Sequence, residues 1–121
     1  MIKDNIREYL NNEWIRINNE AIKNKESQKA LFDLITLYKG FSDEEITTAN
    51  EVIFEWVLSE DVAKRYDGLA LINEFLLVDA ISVLNDLSNK LREENEPSSK
   101  YEITKITRIM KKLNGKIYFN R

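Results

Sequence analysis

A chain of 121 residues, 43% hydrophobic and 32% charged, is long enough to bury a core as one helical domain spanning residues 1–121. It contains neither Cys nor His, which removes disulfides, thiolate nucleophiles, zinc ribbons and the usual imidazole-based catalysis and metal ligation. A net charge of −3 disfavours phosphate backbones as partners, and the lack of ~18 uninterrupted apolar residues or a signal-peptide pattern points to a cytoplasmic protein.

Three Gly and one Pro leave few places for the backbone to break, which favours helices. Ile2, Ile6, Leu10, Trp14, Ile17 and Ala21 recur at three- and four-residue spacing and predict a first amphipathic helix from about Asp4 to Lys23. Ser27 is the expected N-cap of a second helix carrying Leu31, Leu34, Ile35 and Tyr38, with Gly40 placed to stop it in a left-handed conformation. Ser42 followed by Glu45 spells a capping box for a third helix reaching about Leu58.

Ser59 before Glu60 and Asp61 repeats the start signal, and Val62, Tyr66, Leu69 and Leu76 are the expected core stripe of a fourth helix. Asp79 is positioned to cap a fifth, whose Ala80, Leu84, Leu87 and Leu91 form a one-sided stripe opposite Ser82, Asp86, Asn89 and Glu93. Residues 94–99, with Pro97, read as a loop. Ile103, Ile106, Met110 and Leu113 define a sixth helix ending before Gly115, and Lys116 to Arg121 read as a tail whose Ile117, Tyr118 and Phe119 dock or extend.

No catalytic constellation or metal site is expected. Asp43, Glu44 and Glu45, and likewise Glu60 and Asp61, fall in first helical turns, where exposed N–H groups stabilise acids without any cation. Glycine-rich phosphate cradles are absent, because Gly40, Gly68 and Gly115 are isolated. Trp14, Phe54, Trp56, Tyr66 and Phe75 are expected in core packing, with Trp56 and Tyr66 at stripe edges suited to anchoring a partner.

Charge is unevenly distributed. Between Gly40 and Ala63 there are seven acids and no Lys or Arg, and at ~100° per residue Glu44, Glu51 and Glu55 converge opposite the apolar side of the third helix. This predicts an unneutralised acidic stripe facing solvent, which is either an ordinary solvated helix face or a functional one. Conversely, residues 98–121 hold seven basic residues against Glu102 alone. Lys105, Arg108, Lys111 and Lys112 there raise a nucleic-acid alternative, but pairing with acids of neighbouring helices is the expected role of that segment.

The stretch Ser59-Glu60-Asp61-Val62-Ala63-Lys64-Arg65-Tyr66 through Leu69-Ala70, followed by Asp79-Ala80, Leu84 and Leu87, resembles a HEAT-type helical hairpin. The resemblance implies an all-α fold of about six helices, either a compact bundle or a short HEAT-like stack, with exposed helices forming a binding surface. In general type the chain is similar to immunity proteins of bacterial polymorphic-toxin and contact-dependent growth-inhibition systems. That similarity implies a non-enzymatic inhibitor, needing no cofactor, whose Glu44, Glu51, Glu55, Asp86 and Glu93 engage a basic toxin domain. A HEAT-like adaptor or scaffold module is the alternative.

Overall fold

The computed structural model describes residues 3–119, with side chains for 5–117. Among them are six α-helices and no strand: α1 (Lys3–Asn24), α2 (Ser27–Lys39), α3 (Asp43–Val57), α4 (Val62–Phe75), α5 (Ile81–Glu94) and α6 (Pro97–Phe119). A 3-10 turn, Val78–Ala80, precedes α5. The all-helical fold class is as the residue pattern predicts. No helix among the described residues is long and apolar enough to cross a membrane. Ile2 and the side chains of Tyr118 and Phe119 lie outside the described residues.

The chain forms two compact units that divide between Glu55 and Trp56. In the first, α1 and α2 form a hairpin. Ile6, Leu10, Ile17 and Ala21 of α1 are buried as their spacing predicts, as are Leu34 of α2 and Ala49, Val52 and Ile53 of α3. Tyr38 of α2 donates its hydroxyl to Asn50 Oδ1 of α3 at 2.7 Å, tying these helices together. Burial raises the Tyr38 pKa, and the Asn50 bond opposes that shift.

In the second unit, α5 and α6 form the closest pair and α4 packs against α6. Leu84, Leu87 and Leu91 of α5 and Ala80 of the preceding 3-10 turn are fully buried, and Leu69, Leu71 and Ile72 of α4 and Ile106, Ile109 and Leu113 of α6 are buried with them. The α4–α5 hairpin suggested by the HEAT resemblance is therefore not the principal packing here.

Several boundary expectations are corrected by capping geometry. Ser42 and Glu45 do form the reciprocal box: Ser42 N–H donates to Glu45 Oε1 at 2.8 Å, and Glu45 N–H donates to Ser42 Oγ at 3.2 Å. Ser27, by contrast, is the first residue of α2, and the N-cap Glu26 makes no side-chain capping bond. At α4 the cap is Asp61, which accepts from the N–H groups of Ala63 and Lys64, while Ser59 Oγ accepts from Asp61 N–H one step earlier. Asp79 caps nothing, because it lies inside the 3-10 turn.

The left-handed stops also fall elsewhere. Gly40 has φ −82°, whereas Lys25, Leu76 and Asn95 have φ 56°, 49° and 50°. At α1, Lys25 N–H donates to Ile22 O at 3.2 Å and Glu26 N–H to Ala21 O at 2.9 Å, the paired bonds of a Schellman motif. The backbone geometry is thus held by carbonyl capping even where the residue is not glycine. Pro97 does not lie in a loop: it opens α6, where its missing N–H costs nothing. The helix then runs through Gly115 to Phe119, replacing the expected tail.

Gly115 is helical, and a Cβ placed there meets no atom within 4 Å. Gly115→Ala should accordingly raise stability by about 0.5–1 kcal/mol through reduced backbone entropy of the unfolded chain. Urea unfolding checks this, and an unchanged or lower midpoint would contradict it.

The capping box adds a pH dependence. Glu45 is held below the usual carboxylate range, chiefly by the Ser42 backbone N–H and then by its hydroxyl. A depressed folded-state pKa means the stabilisation is complete above the ordinary glutamate value of about 4.3 and is lost as pH falls through the lowered value. Wild type should therefore exceed Glu45→Ala in urea midpoint at neutral pH, with the gap closing in acid. A gap independent of pH would count against the carboxylate.

Candidate functional site

The predicted acidic face sits on α3. Glu44, Glu51 and Glu55 are all exposed, opposite the buried Ala49, Ile53, Trp56 and Val57. The face is not wholly unneutralised, as the sequence suggested. Arg7 of α1 ion-pairs with Glu55 and lies 3.8 Å from Glu51. One guanidinium thus serves two carboxylates whose side chains remain 57% exposed. Exposed pairs of this kind contribute ~0–1 kcal/mol and are screened by salt, so the face keeps a strongly negative character. Arg7 lies far away in sequence, and no local pattern marks it as the partner.

Glu44 makes no ion pair among the described residues, and Asp86 and Glu93 on α5 are likewise exposed without one. Glu44, Glu51 and Glu55 belong to the first unit, Asp86 and Glu93 to the second. Glu60, another acid of the Gly40 to Ala63 run, pairs with Lys90 of α5, which lowers its pKa.

A buried ion pair in the second unit went unseen in the sequence. Arg65 of α4 meets Glu102 of α6 in a two-pronged contact, Nε to Oε1 at 2.9 Å and Nη2 to Oε2 at 3.1 Å. The side chains are only 8% and 5% exposed. Forked geometry satisfies both carboxylate oxygens, and Arg65 Nη1 reaches Ser59 O at 3.5 Å. Glu102 was the only acid among the cations of residues 98–121, so its burial leaves the exposed surface of α6 without a carboxylate among the described residues.

The expected pairing of those cations with acids is corrected. Lys105 Nζ lies 5.1 Å from the centre of the Tyr66 ring, Lys112 Nζ donates to Asn73 Oδ1 at 3.1 Å, and Lys116 Nζ donates to Leu76 O at 3.2 Å. Each partner is on α4 or its C-cap, and none is a carboxylate. Arg108 and Lys111 are exposed.

The aromatic expectations divide. Trp56 is buried at 2%, but Tyr66 of the expected α4 stripe is 41% exposed and Val62 45%. Among the described residues no cluster of three or more acids is arranged to hold a metal ion. Surface depressions, such as that lined by Tyr9, Thr36, Leu37, Gly40, Phe41 and Glu45, are open to solvent.

Removing one member of the buried pair leaves the other charge unpaired in the interior. Arg65→Met or Glu102→Leu alone should each destabilise by about 3–5 kcal/mol, while the double variant should recover most of that loss. Additive losses in a double-mutant cycle would show that the two side chains do not act as a unit.

No family model, curated protein or solved structure matches the chain.

Proposed function

We propose that this chain is a binding protein that neutralises a basic protein partner stoichiometrically, as an immunity protein does to its toxin. The observation that carries the proposal is the α3 face: Glu44, Glu51 and Glu55 exposed along one side of a helix whose opposite side is buried. A toxin that contacts phosphates must present Lys and Arg, and carboxylates on a rigid helix accelerate encounter with such a surface. Asp86 and Glu93 on α5 supply further exposed negative charge. In this reading the chain performs no reaction and requires no cofactor. The HEAT-like adaptor alternative uses the same kind of exposed helical face for a partner in another pathway.

Arg7 refines the mechanism. Its shared contact with Glu51 and Glu55 can be exchanged for a partner's guanidinium at little cost, because neither carboxylate is desolvated in the free protein. Partner cations then replace an internal counterion without stripping buried charge.

The immunity reading expects a toxin encoded beside this chain, whose growth arrest the chain relieves and with which it co-purifies. With that complex in hand, Glu44, Glu51 and Glu55 changed together to Lys should leave the fold in place, at a cost of up to ~1 kcal/mol each as Glu44 leaves the first turn of α3 and Glu51 and Glu55 lose Arg7. Association should slow and lose its salt dependence. Arg7→Gln should do the reverse and speed association, because it removes the cation that pairs with Glu55 and lies beside Glu51. Stopped-flow rates at two ionic strengths measure both effects. Rates unchanged in both variants would remove α3 from the interface, and the absence of growth rescue would remove the toxin as the partner.

A further inference from the structure

The contacts between α4 and α6 fix their relative direction and define a surface of opposite sign. Arg65 meets Glu102, Tyr66 meets Lys105, Asn73 meets Lys112, and the Leu76 carbonyl meets Lys116. Residue numbers rise together along both helices, so the two run parallel. Val62 lies one turn before Tyr66, and Tyr101 one turn before Lys105, on the same faces as those contacting residues. Val62, Tyr66 and Tyr101 therefore gather at one end of the α4–α6 seam, and they are 45%, 41% and 74% exposed.

Beyond them, Lys105, Arg108 and Lys112 continue along α6. At ~100° per residue, Tyr101, Lys105, Arg108 and Lys112 fall within a sector of about one sixth of a turn along the helix. The carboxylate that would neutralise this line is Glu102, and it is turned inward and held by Arg65. The face is thus an apolar and aromatic end followed by a row of cations at helical spacing.

We propose that this α4–α6 face docks an acidic amphipathic helix of another protein. Its apolar side chains would seat against Val62, Tyr66 and Tyr101, and its Glu or Asp residues, recurring at three- and four-residue spacing, would match Lys105, Arg108 and Lys112. Charge complementarity selects the sign of the partner, and the apolar end supplies the anchor that a purely electrostatic contact lacks. The partner differs in sign from the one proposed for α3, so the two surfaces do not compete for one ligand.

Single-stranded nucleic acid is the other polyanion such a face invites, and the geometry favours it less. Stacking sites use successive open aromatic faces, whereas the Tyr66 ring is already covered by the Lys105 ammonium at 5.1 Å.

The test uses the full chain and three fluorescent probes. One is a synthetic amphipathic helix of Glu and Leu, ~20 residues long so that it is helical in isolation. The second is the same peptide with Lys for every Glu, and the third is an oligothymidylate of similar length. Anisotropy titrations should show the Glu peptide bound most tightly, with affinity falling as salt rises. Lys105→Glu, Arg108→Glu and Lys112→Glu together should weaken it by at least about tenfold. Tyr101→Ala, which changes no charge, should weaken it by roughly threefold or more while leaving the salt dependence in place. Tighter binding of the oligothymidylate, equal binding of the Lys peptide, or no binding of the Glu peptide would overturn the proposal. If the triple variant fails to fold by circular dichroism, the Tyr101→Ala result and the wild-type salt dependence still decide.

Discussion

The Arg65–Glu102 pair constrains the second unit more than any apolar contact does. Two charges taken from water gain little net stability even when well paired, because desolvation cancels most of the attraction. What they impose is register. Apolar side chains tolerate small rotations of one helix against another, but a forked guanidinium–carboxylate contact at 2.9 and 3.1 Å does not. With α4 and α6 locked at this point, the stripe that each helix buries follows. On α4 the buried stripe is Arg65, Gly68, Leu69 and Ile72, with Leu71 buried beside it; on α6 the buried positions are Ser99, Glu102, Ile106, Ile109 and Leu113. Both sets have helical spacing, and both contain a charge.

This explains which parts of the fold were legible in the sequence. Stripes made wholly of apolar residues, in α1 and α5, could be read directly, as could the Ser42–Glu45 box, because local spacing alone specifies them. The α4 stripe was misplaced onto Val62 and Tyr66 because amphipathic reading assigns Arg65 to solvent. Once that assignment is made, the apolar set that remains is rotated about the helix. The same assumption placed Ile103 and Met110 in the α6 stripe, where Ile109 and Glu102 are the more deeply buried residues. A buried ion pair across 37 positions leaves no periodic trace, since each partner looks like an ordinary surface charge.

The candidate sites show the same division. Exposure of Glu44, Glu51, Glu55, Asp86 and Glu93 follows from helical spacing and was readable. Their counterion was not, because Arg7 reaches α3 from 48 positions away from Glu55. Helix ends were misread for a related reason. Glycine is favoured at left-handed stops on intrinsic grounds, yet Lys25, Leu76 and Asn95 hold that conformation here. At Lys25 and Leu76 the following N–H groups reach back to Ala21 and Ile72, and at Asn95 its own N–H reaches Leu91. These capping bonds offset a strain of about 1–2 kcal/mol per left-handed residue.

Burial of Glu102 also shapes the electrostatics outside. An acid left on the surface of α6 would sit among Lys105, Arg108 and Lys112 and offset them; turned inward against Arg65, it leaves the exposed side of that helix uniformly positive among the described residues. The rotation that buries Arg65 also brings Val62 and Tyr66 outward, so the apolar and cationic halves of the α4–α6 face share one cause. Net charge is a poor guide to such a surface. Screening confines each field to a Debye length of about 8 Å at physiological ionic strength. Lys105 and Lys112, seven residues apart, are separated by about 10 Å along the helix axis. A docking partner therefore experiences this row of cations and their immediate neighbours, whatever the sum over the whole chain, and α3 can attract a basic surface by the same local rule.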